Sequence, residues 1–281
     1  MPRIATPPPD VRPALRAAVR WGRSPNPRWD HVRDVVDGAW SPGGGSYVRV
    51  PDLADDAPVD VCVELTRACV LRCGWCFSDS APGRDRRFLP ADVVEGWLAE
   101  HRGSLVRACL SGGEPLMHPE IARLLRLPAG LPGVGFVLNT NGTVRADLDP
   151  LLVEHQWLVA MSLHGDRDTH ADYTNAVGYD RVVARIRRLA SATPVHVYSV
   201  LHAGATLGSV ESVLDVAAGA GVGMLRFVVP RGGAGRLGSP PSPALVAAVR
   251  DLVGGLDWAA LKDAPSFSAF LDVDGVTRRS H

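Results

Sequence analysis

The chain has 281 residues, of which 46% are hydrophobic and 21% charged, and its 30 basic and 30 acidic residues leave no formal net charge. This composition is typical of globular proteins and provides no excess of basic side chains for binding a nucleic acid or an anionic membrane. The N-terminal sequence MPRIATPPPD lacks the apolar core of a signal peptide, and no later apolar run is long enough to span a bilayer, so we expect a cytoplasmic protein.

Residues 1–58 differ in character from the rest of the chain. They are rich in proline, arginine and tryptophan and contain a run of three glycines at 43–45. A segment this short rarely has a hydrophobic core of its own. We therefore predict an N-terminal extension that covers one end of the main domain, rather than a separate functional module.

From residue 59 onward, short apolar strands alternate with helices. The pattern predicts strands at 60–65, 106–110, 135–139, 157–163, 194–202 and 224–229, and helices at 90–101, 118–127, 149–155, 179–191, 208–220 and 242–252. Six such units in residues 59–255 predict an α/β fold, a partial (β/α)6 TIM-like barrel with its helices outside a parallel sheet. Residues 256–281 are predicted to be a short C-terminal tail, in which Asp274-Gly275 indicates a hairpin turn.

Four polar segments directly follow predicted strands. They are the loop after the first strand, Gly112–Glu114, Asn139–Asn141 and Ser162–Gly165. In a barrel, the carboxyl ends of parallel strands meet at one rim, where ligands bind. The sequence therefore predicts one active site, formed by these four segments.

The loop after the first strand contains three cysteines, Cys69, Cys73 and Cys76, in the spacing Cys-x3-Cys-x2-Cys. Three thiolates can bind three irons of a [4Fe–4S] cluster, which normally takes four cysteines, so the fourth iron would be open to a small molecule. The alternative is a structural zinc site, which Cys62 or Cys109 could complete. Five cysteines with three clustered do not resemble a disulfide framework.

The second motif is Ser111-Gly-Gly-Glu-Pro115, at the end of the second strand. Its two glycines allow a backbone to approach a ligand closely, and Glu114 adds a charged acceptor. Such a turn is weak evidence alone, because turns use these residues freely. One strand after a cysteine loop, it becomes strong evidence for a ligand site.

The two motifs, with Trp75 just before the last cysteine, resemble those of the radical S-adenosylmethionine (SAM) superfamily. The resemblance covers roughly residues 59–255 and implies that SAM chelates the open iron of the cluster through its amine and carboxylate. It further implies that Gly112, Gly113 and Glu114 bind the SAM amino group, that Ser162 contacts its ribose or carboxylate, and that Trp75 packs near its adenine.

The resemblance also implies a reaction. The reduced cluster passes an electron to SAM, and the resulting 5′-deoxyadenosyl radical abstracts hydrogen from a substrate. An external donor such as flavodoxin or ferredoxin would supply the electron. No cysteine follows Cys109, so a second cluster is not expected. The sequence names no further catalytic residue, and His164 could either transfer a proton or be a hydrogen-bonded structural histidine.

The substrate is less defined. Residues 228–236 resemble the same stretch of peptide-modifying members, which favours a peptide or amino acid in natural-product biosynthesis. Arg231 and Arg236 are candidates for binding a carboxylate there, and a solvated loop is the alternative. A sugar, nucleoside or antibiotic intermediate is a second hypothesis, and a non-enzymatic Fe–S or zinc-binding protein is a third. Neither a nucleic acid nor a membrane is an expected partner.

Overall fold

Eight parallel strands form a single sheet in the computed structural model, which describes residues 59–76, 78–229, 240–263 and 269–271. The strands are β1 (Val59–Glu64), β2 (Leu105–Ser111), β3 (Gly135–Thr140), β4 (Leu158–Ser162), β5 (Val195–Val200), β6 (Met224–Val229), β7 (Ala259–Asp263) and β8 (Ala269–Leu271). Their order is β7-β6-β5-β4-β3-β2-β1-β8, with every neighbouring pair parallel. The predicted α/β partial barrel is thereby confirmed.

Helices connect the strands. They are α1 (Ala91–Glu100), α2 (Ile121–Leu124), α3 (Leu127–Gly130), α4 (Asp149–Glu154), α5 (Arg167–Thr174), α6 (Tyr179–Ala190), α7 (Leu207–Ala220) and α8 (Pro243–Val253). Where one helix was predicted at 118–127, the structure has the shorter α2, and α3 begins only at Leu127; Pro128 has no N–H with which to continue α2. Helix α5 was not predicted, since its polar sequence RDTHADYT shows no hydrophobic stripe. Among the described residues, none of the helices is long and apolar enough to cross a membrane.

The two faces of the sheet have different roles. One face packs against the helices and forms the main core, which includes Val61 and Val63 of β1 and Leu98 of α1. The other face encloses a smaller apolar cluster made of Cys109, Val137, Leu158 and Ala160. Side chains alternate between the two faces along each strand, so every second residue belongs to this inner face. The polar segments lie at the carboxyl ends of the same strands.

Strands β7 and β8 lie in the segment predicted as a tail. Strand β7 pairs with β6 and strand β8 pairs with β1, so they extend the sheet at both edges. Each covers backbone groups of an edge strand that would otherwise have no partner there. Strand β8 has three residues, too few to show a hydrophobic period. The extension 1–58, the predicted turn at Asp274-Gly275, and Arg231 and Arg236 lie outside the described residues.

Candidate active site

An open cavity lies at the carboxyl ends of the strands. The structure brings most of the predicted site residues to its wall: Cys69, Cys73, Trp75, Cys76, Gly112, Gly113 and Ser162. The side chain of Glu114 is fully buried, and Glu114 is not part of this wall. The four polar segments therefore meet at one rim, as parallel strand ends require.

The cysteine loop is hydrogen-bonded along one side to the turn after β2. The N–H of Gly113 donates to the carbonyl of Thr66 at 2.7 Å, and the N–H of Glu114 donates to that of Ala68 at 2.8 Å. A Cβ atom on Gly112 would lie 2.3 Å from the Thr66 oxygen, and one on Gly113 would lie 2.3 Å from the Ala68 oxygen. Gly112 also has a φ of +128°, which side chains other than glycine rarely adopt. The two glycines are thus needed to seat the loop.

The end of α5 holds the loop from its other side. The N–H of Gly74 donates to the carbonyl of Tyr173 at 2.8 Å, and the N–H of Arg72 donates to that of Thr174 at 3.1 Å. The Tyr173 hydroxyl donates to the carbonyl of Trp75. Backbone and side-chain contacts of one helix end therefore position the segment between Cys73 and Cys76.

The three cysteine side chains resist ionisation in the metal-free protein. Burial raises the pKa of Cys69 to about 11 and that of Cys73 to about 12, and it also raises the pKa of Cys76. Backbone N–H groups work in the opposite direction, from Leu71 to the Cys69 sulfur at 3.4 Å and from Ser80 to the Cys76 sulfur at 3.3 Å. Thiols that resist ionisation lose their protons to solvent when a metal centre binds the sulfurs, because coordination stabilises the thiolate.

Three cysteine thiols on one cavity wall are the type of donor that an iron–sulfur cluster uses. Among the described residues, no three histidine, cysteine, aspartate or glutamate side chains are placed to hold one ion. A cluster does not require this convergence, since each thiolate binds a different iron. Cys109, a possible zinc ligand, packs instead in the apolar cluster beneath the cavity. Trp75 and Tyr173 line the cavity beside the cysteines and limit solvent access.

The Glu114 carboxylate connects two strand ends. Its oxygens accept hydrogen bonds from the N–H of Leu116 at 3.1 Å, the hydroxyl of Thr140 at 2.8 Å and the N–H of Asn141 at 2.8 Å. Complete burial raises the pKa of Glu114, and these hydrogen bonds partly offset that effect. The residue therefore joins the turn after β2 to the end of β3, and its direct contact with SAM stays a prediction.

The His164 ring is buried and contacts a backbone N–H and an aromatic ring. Its Nδ1 accepts the N–H of Val200 at 3.0 Å, and its ring lies 4.4 Å from that of Tyr173, centre to centre. Burial holds the pKa of His164 well below its usual value, so the ring is neutral. Because Nδ1 accepts, the proton is on Nε2. Of the two roles left open by the sequence, this geometry favours the hydrogen-bonded structural histidine.

Sequence reasoning assigned no role to two residues that contact the cysteine loop. Tyr173 belongs to the helix that the hydrophobic pattern did not reveal. Asn141 was placed on the rim, but the orientation of its amide depends on Thr143 and Cys69 together. The available signal was the Asn-Gly pair directly after a predicted strand.

Comparison with known proteins gives consistent results. The family model described as the radical SAM superfamily matches residues 63–217. GTP 3′,8-cyclase of Chlorobaculum tepidum is 35% identical over 138 residues, which are 47% of this chain and 41% of that protein.

Two solved structures of Streptococcus suis SuiB share the fold. The one bound to S-adenosylmethionine has a TM-score of 0.66 at 16% sequence identity, and the matched region covers 79% of this chain and 60% of the SuiB chain. The one bound to the precursor peptide SuiA has a TM-score of 0.63 at 15% sequence identity, and the matched region covers 86% of this chain and 55% of the SuiB chain. The chain thus spans less than two thirds of the length of each protein compared.

Proposed function

The chain belongs to the radical SAM superfamily, and we propose that Cys69, Cys73 and Cys76 bind the [4Fe–4S] cluster that this family of enzymes uses together with SAM. The observation that supports this proposal is the position of the three cysteines on one cavity wall beside the Gly-Gly turn. When bound, the cluster supplies the electron that cleaves SAM to methionine and a 5′-deoxyadenosyl radical, which takes hydrogen from the substrate.

The residues of the chain would bind and orient SAM. The turn at Gly112 and Gly113 places backbone groups at the cavity wall beside the cysteine loop, where the amino end of SAM would bind. Ser162, half-buried at the end of β4, is proposed to bind the ribose or carboxylate, and Trp75 to pack near the adenine. Tyr198, Val200 and Val228 supply apolar wall on β5 and β6, which helps to exclude water from a reactive radical.

For the substrate, we propose a peptide or amino acid. The fold is shared with SuiB, whose structure holds a precursor peptide. The similarity to a GTP 3′,8-cyclase favours a nucleotide as the second candidate. A triphosphate is usually bound by arginine or lysine. Among the described residues, none of those that line the cavity is an arginine or a lysine. A small one-electron donor of the flavodoxin or ferredoxin class is the proposed protein partner.

The cluster assignment is tested by anaerobic reconstitution. The wild-type protein should bind about four irons and four sulfides per chain, and it should convert SAM to 5′-deoxyadenosine when reduced. Replacing all three cysteines, Cys69, Cys73 and Cys76, by alanine should abolish both properties. The matched control is Cys109→Ala, which removes a buried thiol beneath the cavity and should retain the cluster. A full cluster in the triple variant, or one zinc and no iron in the wild type, would contradict the assignment.

The substrate proposal is tested by binding. GTP serves as the probe for the nucleotide candidate, measured by calorimetry on the protein loaded with cluster and SAM. We expect no saturable GTP binding at micromolar concentration. Saturable GTP binding, together with a product formed from GTP in proportion to 5′-deoxyadenosine, would contradict the peptide proposal and identify a nucleotide as the substrate.

A further inference from the structure

The side-chain amide of Asn141 has a fixed orientation. Its Oδ1 accepts two hydrogen bonds from Thr143, from the N–H at 2.9 Å and from the hydroxyl at 2.6 Å. A backbone N–H can face only an acceptor, so the NH₂ group must be on the other side of the amide. There its Nδ2 lies 3.8 Å from the sulfur of Cys69, at the cavity wall.

The backbone of Asn141 is held equally firmly. Its N–H donates to Glu114 at 2.8 Å, and the neighbouring Thr140 hydroxyl donates to the other oxygen of the same carboxylate at 2.8 Å. Glu114 is fully buried and Asn141 nearly so. The amide therefore reaches Cys69 from a rigid support, which a donor needs in order to act on one sulfur.

A hydrogen bond to a cysteine ligand changes the reduction potential of a cluster. The reduced cluster has one more negative charge than the oxidised cluster, so an N–H directed at a ligand sulfur stabilises the reduced state more. Resting on the function proposed above, we propose that Asn141 is a positioning residue that donates to the Cys69 thiolate and raises the potential of the cluster. The Leu71 N–H, at 3.4 Å from the same sulfur, is the second donor.

The test is the midpoint potential of the reconstituted protein, measured by redox titration monitored by electron paramagnetic resonance without SAM. Asn141→Ala removes the donor, and Asn141→Leu removes it while keeping nearly the same volume. Both variants keep the backbone N–H that binds Glu114. We expect each midpoint to become more negative by about 59 mV, equivalent to a tenfold change in a one-electron equilibrium.

The matched control is Thr143→Val, which removes one of the two donors to Oδ1 but leaves the Asn141 amide in place. Its midpoint should equal that of the wild type. Wild-type midpoints in Asn141→Ala and Asn141→Leu proteins that carry a full cluster would overturn the proposal. Failure of both variants to load a cluster, with normal loading of Thr143→Val, would also overturn it, because Asn141 would then be a folding residue. Absence of a cluster from the wild type would instead reject the proposed function.

Discussion

At the scale of single residues, Gly113 shows how the cysteine loop limits the choice of side chain. Any Cβ there would lie 2.3 Å from the backbone oxygen of Ala68, and backbone cannot move aside as a flexible side chain can. We expect Gly113→Ala to lower the free energy of unfolding by about 1–3 kcal/mol and to reduce iron loading, since the loop must shift. Urea denaturation of the metal-free protein and iron analysis after reconstitution measure the two effects.

The matched control for this substitution is Gly96→Ala, in the middle of α1, where a Cβ would meet no atom within 4 Å. Alanine favours a helix over glycine by roughly 1 kcal/mol, so this variant should be slightly more stable and load iron normally. Equal stability and equal iron content in the two variants would show that the loop does not need the glycine.

At the scale of elements, the end of α5 acts as a support for the cysteine loop. Tyr173→Phe keeps the ring between His164 and His202 but removes the hydroxyl that donates to the Trp75 carbonyl. We expect a loss of about 0.5–1.5 kcal/mol in stability and a lower iron content, because a buried carbonyl loses its donor next to Cys76, a proposed cluster ligand. Denaturant titration and iron analysis again serve as measurements.

Tyr179→Phe is the comparison for Tyr173→Phe. Its hydroxyl lies 3.5 Å from that of Ser212, between α6 and α7, and it has no contact with the loop among the described hydrogen bonds. Iron content should be normal in this variant. If both tyrosine variants lose iron equally, the effect comes from general loosening of the helices and not from the loop.

At the scale of the whole molecule, buried histidines make stability depend on pH. Burial lowers the pKa of His170 to about 4 and that of His196 to about 3, whereas the unfolded value is 6.5. Between pH 7 and pH 5 the unfolded chain therefore takes up protons at both sites, and the folded protein does not. Each histidine should contribute a loss of about 2 kcal/mol in stability as the pH falls through this range.

Other buried groups also titrate near this range, and burial of Glu114 raises its pKa, which acts in the opposite direction. The test therefore compares the wild type with His196→Gln, which shares all the other groups. Urea unfolding of the metal-free proteins at pH 7 and pH 5 should show a loss that is about 2 kcal/mol smaller in the variant. The same loss in both proteins would mean that His196 is protonated in the folded state.

Strand order along the chain was sufficient to predict where the polar motifs meet. Parallel strands connected by helices have their carboxyl ends at one rim. A motif that directly follows a strand in the sequence therefore lies at that rim. The cysteine loop and the Gly-Gly turn are such motifs, and they meet at one cavity wall. The cysteine spacing and the glycine pair could also be recognised in the sequence, because each motif consists of residues that are close together in the chain.

Contacts between distant segments had to come from the tertiary structure. Tyr173 is 98 residues from Trp75, and Asn141 is 72 residues from Cys69, yet each pair is joined by a hydrogen bond. No periodicity encodes such pairs, and the polar sequence of α5 concealed the helix itself. The sequence by itself determined the family of the chain and the rim of the sheet at which its motifs meet. The tertiary structure decided which side chains support the cysteines, because hydrogen-bond geometry depends on how separate elements pack.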